Sequence, residues 1–225
     1  MRNYPSIYSR SYSSDEMSVR AYNLLIGAIL LWGFVINAFM CARYTEVFKT
    51  WNLTYVIIGY FVVCIAGIFL STSSDSAFVS FIGYNMVVVP VGVVLSLALD
   101  EMNLTGYQLM NTLYVTSGLT IFMMLTATLF PGVFDGLGKI LFFTLLGIIV
   151  VEFIMIFAGF EEPTWWDLGV AFVFCLYIGY DWGKAQEQCR TADNAVDACV
   201  GLYLDIINLF IRLASASSKS SRRRK

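Results

Sequence analysis

The sequence predicts an all-α, polytopic membrane bundle of seven transmembrane helices, and three observations support that class. Hydrophobic residues make up 58% of the 225-residue chain and charged residues 13%, against about 45–50% and about 25% in soluble domains. So little charge cannot cover a water-facing surface. Apolar runs of about twenty residues, the length that crosses a hydrocarbon core, recur along the chain. The pieces between them are short and polar, so consecutive helices must pack as up-down neighbours.

The runs lie near 22–42, 53–71, 77–99, 107–130, 138–160, 165–185 and 195–214. Each is closed by a segment that a bilayer would reject or that breaks a helix: 43–49 and 100–106 carry charges, and 71–76 is rich in serine. Segment 131–136 holds Pro131 and two glycines, 161–164 pairs two glutamates with Pro163, and 186–194 is polar almost throughout. No linker is long enough to divide domains. The expected organisation is a polar cytoplasmic N-terminus over 1–21, one transmembrane domain over 22–214 and a basic C-terminal tail over 215–225.

Composition also narrows the function. The net charge of −2 gives no docking face for nucleic acid, so none is expected as a partner. The chain has no histidine, which excludes a Ser–His dyad, an imidazole metal site and a histidine pH switch. Five cysteines without a C-x-x-C (Cys41, Cys64, Cys175, Cys189 and Cys199) are expected as buried thiols, not as a disulfide or zinc framework. No catalytic residue, cofactor or tightly bound metal is expected. The first twenty residues lack an apolar signal core, so the N-terminus is expected to stay uncleaved.

With the N-terminus in the cytoplasm, Arg2, Arg10, Arg20, Lys139, Lys184 and Arg190 lie inside, and Arg43 and Lys49 outside. The basic tail, Lys219 to Lys225, also reads as cytoplasmic. Seven full crossings cannot place both ends inside, so either the last run re-enters or the tail departs from the rule.

A charge at the bilayer centre costs roughly 2.5–3.5 kcal/mol on insertion scales, so each such residue needs a reason. The carboxylates singled out within the runs are Glu152, Asp181, Asp197 and Asp205. Glu152 is mid-segment with no evident basic partner and is the candidate ion-path carboxylate. In the last run Asp197, Gly201, Asp205, Asn208 and Arg212 follow at intervals of 4, 4, 3 and 4, which places them on one face of a helix. A helix with such a stripe faces protein or water on that side, not lipid. Asp181 and Asp205 are each twelve residues from Asp193. If both flanks are helical, each lies about 18 Å from the turn, at equal depth on antiparallel helices. Unit charges about 4 Å apart repel by roughly 4 kcal/mol at an effective dielectric near 20, so such a pair should share one proton and titrate as a unit. In a chain without histidine, this pair is the expected pH sensor.

The stretch from Tyr180 to Leu213, with Y-D at 180–181 and G-L-Y-L-D-I-I-N-L-F at 201–210, resembles the C-terminal signature of the Bax inhibitor family, as in its bacterial members. FDGLGKILFFTLLGIIV at 134–150 is similar to that family's fifth helix. The resemblance implies six helices around a central seventh and a pH-dependent calcium leak, with calcium and protons as the transported and regulating ions. It also implies that Asp181 and Asp205 form the gating pair, held together by a shared proton that keeps the pore closed. Deprotonation would favour an open state. One departure stands out: family members with this sensor carry an arginine and a glutamate in or just after the second helix, whereas 53–71 here has no charge and only Asp75 follows. Either the pair lacks its basic partner or it borrows Arg212, seven residues beyond Asp205 on the same face, and Glu152 is the candidate replacement for the acid.

Two rival classes are weighed against this. An intramembrane aspartyl protease would match Tyr180–Asp181 but needs G-x-G-D at the second aspartate, where Leu202, Tyr203 and Leu204 stand, and a P-A-L element that none of the four prolines supplies. A retinal protein needs a lysine in the last run, and 195–214 has none. A non-conducting regulator of stress or cell-death pathways, acting through partners, is the standing alternative. Its basic tail, SKSSRRRK, would contact anionic lipid or serve as a topology anchor. Asn52-Leu53-Thr54 and Asn103-Leu104-Thr105 match a glycosylation pattern close to the bilayer. Thr112, Thr116 and Thr120 read as packing contacts, and Gly27, Gly33, Gly59 and Gly67 as points of close helix approach. The expected location is a bacterial plasma membrane, with the endoplasmic reticulum as the alternative.

Overall fold

The computed structural model describes residues 16–160 and 162–222, so Arg2, Arg10, Glu161 and the last three residues of the tail lie outside the described part. Among the described residues the chain is helical without a strand: α1 (Val19–Arg43), α2 (Thr45–Phe48), α3 (Leu53–Thr72), α4 (Ala77–Met102), α5 (Gly106–Leu129), a 3-10 turn at Pro131–Val133, α6 (Leu137–Ala158), α7 (Thr164–Glu187) and α8 (Ala192–Arg222). Helix ends fall where side chains satisfy the orphan backbone groups. Ser18 and Asn52 accept from the amides of Ala21 and Thr54, and Thr105 forms a reciprocal capping box with Gln108. Asn103 closes α4 in the left-handed region at φ 49°. Asn52, Asn103 and Thr105 thus have structural duties, which account for both glycosylation-like tripeptides.

Six of these helices are long and apolar enough to cross a membrane: α1, α3, α4, α5, α6 and α8. The sixth predicted run became α7, which is 24 residues long but falls short by composition. It carries Asp167, Asp181, Lys184 and Glu187, which offset its aromatic and aliphatic residues. The last run is longer than expected. α8 is one unbroken 31-residue helix, about 46 Å at 1.5 Å per residue, with no break at which a re-entrant segment could turn back. The predicted tail is helical through Arg222 because its residues find partners. Ser218 donates to the Met102 carbonyl at 2.7 Å and Arg222 to that of Glu101 at 3.1 Å.

α8 contacts α1, α3, α4, α5 and α7. Among the described residues none of its large apolar side chains is exposed, so its apolar faces are packed as well as its polar one. By contrast α6 buries only Leu141 and Ile148 and turns Phe142, Phe143, Phe153 and Phe157 outward, as a helix bathed in lipid would. On the opposite side α3 crosses α4 at Gly67 and Gly83, where a Cβ on Gly67 would stand 2.6 Å from the Gly83 carbonyl. Gly33 is equally confined, by the rings of Tyr84 and Tyr203. Gly27 and Gly59 are not: a Cβ at either meets nothing within 4 Å, so the expected close approach is absent there. Thr112, Thr116 and Thr120 are all buried, and Thr116 bonds back to the Thr112 carbonyl, as packing residues do. Cys64, Cys175 and Cys199 are buried and Cys41 partly so, while Cys189, on the α7–α8 turn, is exposed, contrary to expectation.

Gly67→Ala should lower stability by about 1–3 kcal/mol through overpacking against backbone that cannot yield. Gly27→Ala should be neutral or slightly stabilising, because Ala favours the helix by about 1 kcal/mol and meets no neighbour. Thermal unfolding of both variants in the same detergent measures the contrast.

Candidate functional site

The site is built where α7 meets α8. Asp181 lies six residues from the end of α7, and Asp205 thirteen residues into α8. The antiparallel packing brings the two carboxylates within hydrogen-bonding reach of each other. Gly201, one turn before Asp205, makes this approach possible: a Cβ there would run into the Asp181 carboxylate. Asp205 is 7% exposed, and its Oδ2 has no hydrogen-bond donor among the described residues. Tyr177, one turn before Asp181, lies beside both carboxylates, and Lys184 is near Asp181 only. Two carboxylates can share a hydrogen bond only when one is protonated.

The rest of the polar stripe is distributed among different neighbours. Asp197 accepts from Ser71 at the end of α3, and one turn earlier Asp193 accepts from Ser80 of α4 at 2.7 Å. Asn208 turns back onto its own helix, donating to the Leu204 carbonyl at 2.8 Å. Arg212 does not reach the aspartate pair. It is drawn towards the α6–α7 hairpin, where it pairs with Glu152, with Glu162 at 3.3 Å and with Asp167 at 3.5 Å. Lys219 adds a second cation, 2.8 Å from Asp167, and Ser215 and Trp166 donate to Asp167 and Glu152. Two expectations are corrected together. Glu152 has a basic partner, and Arg212, occupied by three carboxylates, does not substitute for the second-helix arginine.

Sequence reasoning missed Asp167, which is fully buried, because it lies in the first turn of its run, where a charge reads as interfacial. It also missed the pin on the other side of α8. The Tyr203 hydroxyl donates to Asn37 Oδ1 at 2.5 Å, and Asn37 Nδ2 donates to the Val88 carbonyl at 3.0 Å, tying α8 to α1 and α4. The one available signal was an asparagine in the middle of an apolar run. Among the described residues no group of three or more Cys, Asp or Glu side chains is arranged to hold a metal ion.

Against this geometry, the chain matches the family described as "Inhibitor of apoptosis-promoting Bax1" over residues 15–222. It belongs to the Bax inhibitor family. A BI1-like protein of Arabidopsis thaliana is 35% identical over 120 residues, covering 52% of this chain and 46% of that protein. An uncharacterized protein of Helicobacter pylori is 36% identical over 78 residues, covering 34% of this chain and 33% of its own length. The matches thus span less than half the length of either relative. Family membership together with the apolar helices makes this an integral membrane protein.

Arg212→Gln should destabilise the bundle by about 1–3 kcal/mol, below the roughly 3–5 kcal/mol lost when a fully buried pair is broken. The discount follows from the 18–25% side-chain exposure of Arg212, Glu152 and Glu162. Arg212→Lys should recover part of the loss, as read from unfolding midpoints in detergent.

Proposed function

We propose that this protein is a pH-regulated calcium leak gated by the Asp181–Asp205 pair, with α7 as a seventh span and α8 as the central helix of the bundle. The buried contact between the two carboxylates, made without a compensating arginine, is the observation that carries this reading. While a proton is shared, the hydrogen bond holds α7 against α8. When it leaves, two charges about 4 Å apart repel by roughly 4 kcal/mol at an effective dielectric near 20, enough to shift a two-state equilibrium substantially. Raising the pH therefore favours separation, and lowering it favours closure. Calcium suits a path lined by carboxylate and carbonyl oxygens; it is cargo here, and no cofactor is needed. Glu152, held by Arg212, would contribute to such a path only if that cluster opened. A bacterial plasma membrane fits the short loops, with the endoplasmic reticulum as the alternative.

A second reading, a non-conducting regulator that acts through protein partners, is favoured by the family's description as an inhibitor of a death-promoting protein. The aspartate pair would then be a structural lock.

Calcium flux into proteoliposomes, measured from about pH 5 to about pH 8, separates the two. One titrating proton permits a rise of up to about tenfold per pH unit in the wild type. Asp181→Asn and Asp205→Asn can keep the hydrogen bond at every pH, so each should flatten the profile to within about twofold. A pH profile unchanged in folded variants would refute the gating role. No flux from folded wild type at any pH would refute the leak itself.

A further inference from the structure

One face of the bundle carries a long groove that neither the aspartate pair nor the charge cluster uses. Helices α1 and α3 both pack near α4, and between them α4 forms a floor from Phe78 to Val93, about 22 Å of helix. The groove encloses about 1120 Å³, more than the roughly 300–1,000 Å³ of small-molecule pockets. No charged side chain lines it. Two of its polar side chains are paired: Trp32 Nε1 donates to Asn85 Oδ1 at 3.0 Å, and Asn85 Nδ2 to the Phe81 carbonyl at 2.7 Å. Midway along, Gly59 keeps it wide, since a Cβ there would meet nothing within 4 Å.

The groove is continuous with the lipid-facing surface, because Tyr55, Ile82 and Val89 line it and are exposed at the same time. Trp51, Asn52 and Tyr55 close one end with the amphipathic residues that settle at headgroup level. Just beyond them Lys49 is engaged by Glu46 and Asp100, each at 3.2 Å. Hydrogen bonding to Asp100 above all, then to Glu46, raises its pKa, so it stays charged but neutralised by its neighbours. The rim therefore offers no uncompensated lysine to select an anionic headgroup.

We propose that this α1–α3–α4 groove holds the acyl chains of one membrane phospholipid, with the headgroup at the Trp51–Asn52 end and no preference for headgroup charge. The apolar lining suits hydrocarbon, the groove opens onto the lipid-facing surface, and its length suits an extended hydrocarbon chain.

Native mass spectrometry of the full chain, purified in detergent and incubated with dioleoyl phosphatidylcholine or dioleoyl phosphatidylglycerol, tests this. Wild type and Gly27→Phe, whose new ring projects from an open position outside the groove, should each retain one phospholipid of either kind. Gly59→Phe should retain at least about tenfold less, equivalent to about 1.4 kcal/mol, at an unchanged unfolding midpoint. Val89→Phe, on the floor of the same groove, replaces it should that variant not fold. Failure of wild type to retain a stoichiometric lipid, equal retention by the groove variants, or retention of only one headgroup class would each overturn the proposal. A wild-type dimer lost on Gly59→Phe would assign the groove to a second copy instead.

Discussion

A helix that carries Asp197, Asp205, Asn208 and Arg212 into a membrane cannot touch hydrocarbon on that face, because each unpaired polar group there would cost several kcal/mol. Much of the architecture follows from this constraint on α8. Its polar atoms find partners on α3, on α6 and α7, and on its own backbone. Its apolar faces are covered as well, by α1, α4 and α5. The outer helices take the lipid, and α6 shows the result, with phenylalanines outward and two residues buried.

Arg212 decides the electrostatics. A guanidinium can satisfy several carboxylates at once through its fork of donors, and it does so with Glu152, Glu162 and Asp167, assisted by Lys219. Three acids and two bases thereby compensate one another at one end of α8. The aspartate pair, farther along the same helix, is not reached by Arg212; in the function proposed above it resolves its repulsion with a proton. Under that proposal structural ion pairing and proton-dependent gating are separated along a single helix, each with its own neighbours on α7.

Tight and open places along the bundle are set by the same residue type. At Gly67 and Gly83 the absence of a side chain lets two backbones meet, the usual way for membrane helices to gain packing where lipid provides no hydrophobic drive. At Gly201 it admits a carboxylate from α7. At Gly59 the same absence leaves empty width on the surface. On the far side of α8, Tyr203 and Asn37 fix the helix to α1 and α4, so the face opposite Asp205 is pinned.

Much of this was legible in the sequence. Apolar length and short polar connectors determined the helices and their antiparallel order, since a bilayer leaves the backbone almost no other solution. The 4-4-3-4 spacing determined that one face of α8 is polar, and the equal distance from Asp193 put Asp181 and Asp205 within reach. What spacing along one helix cannot state is which neighbour lies opposite. Only the tertiary structure decided that Arg212 turns to Glu152 and Asp167 and leaves Asp205, that Gly33 and Gly67 are crowded while Gly27 and Gly59 are open, and that the tail continues as helix through Arg222. Those outcomes depend on rotation about each helix axis, which is set by packing between elements distant in the chain, and periodicity within one element carries no information about it.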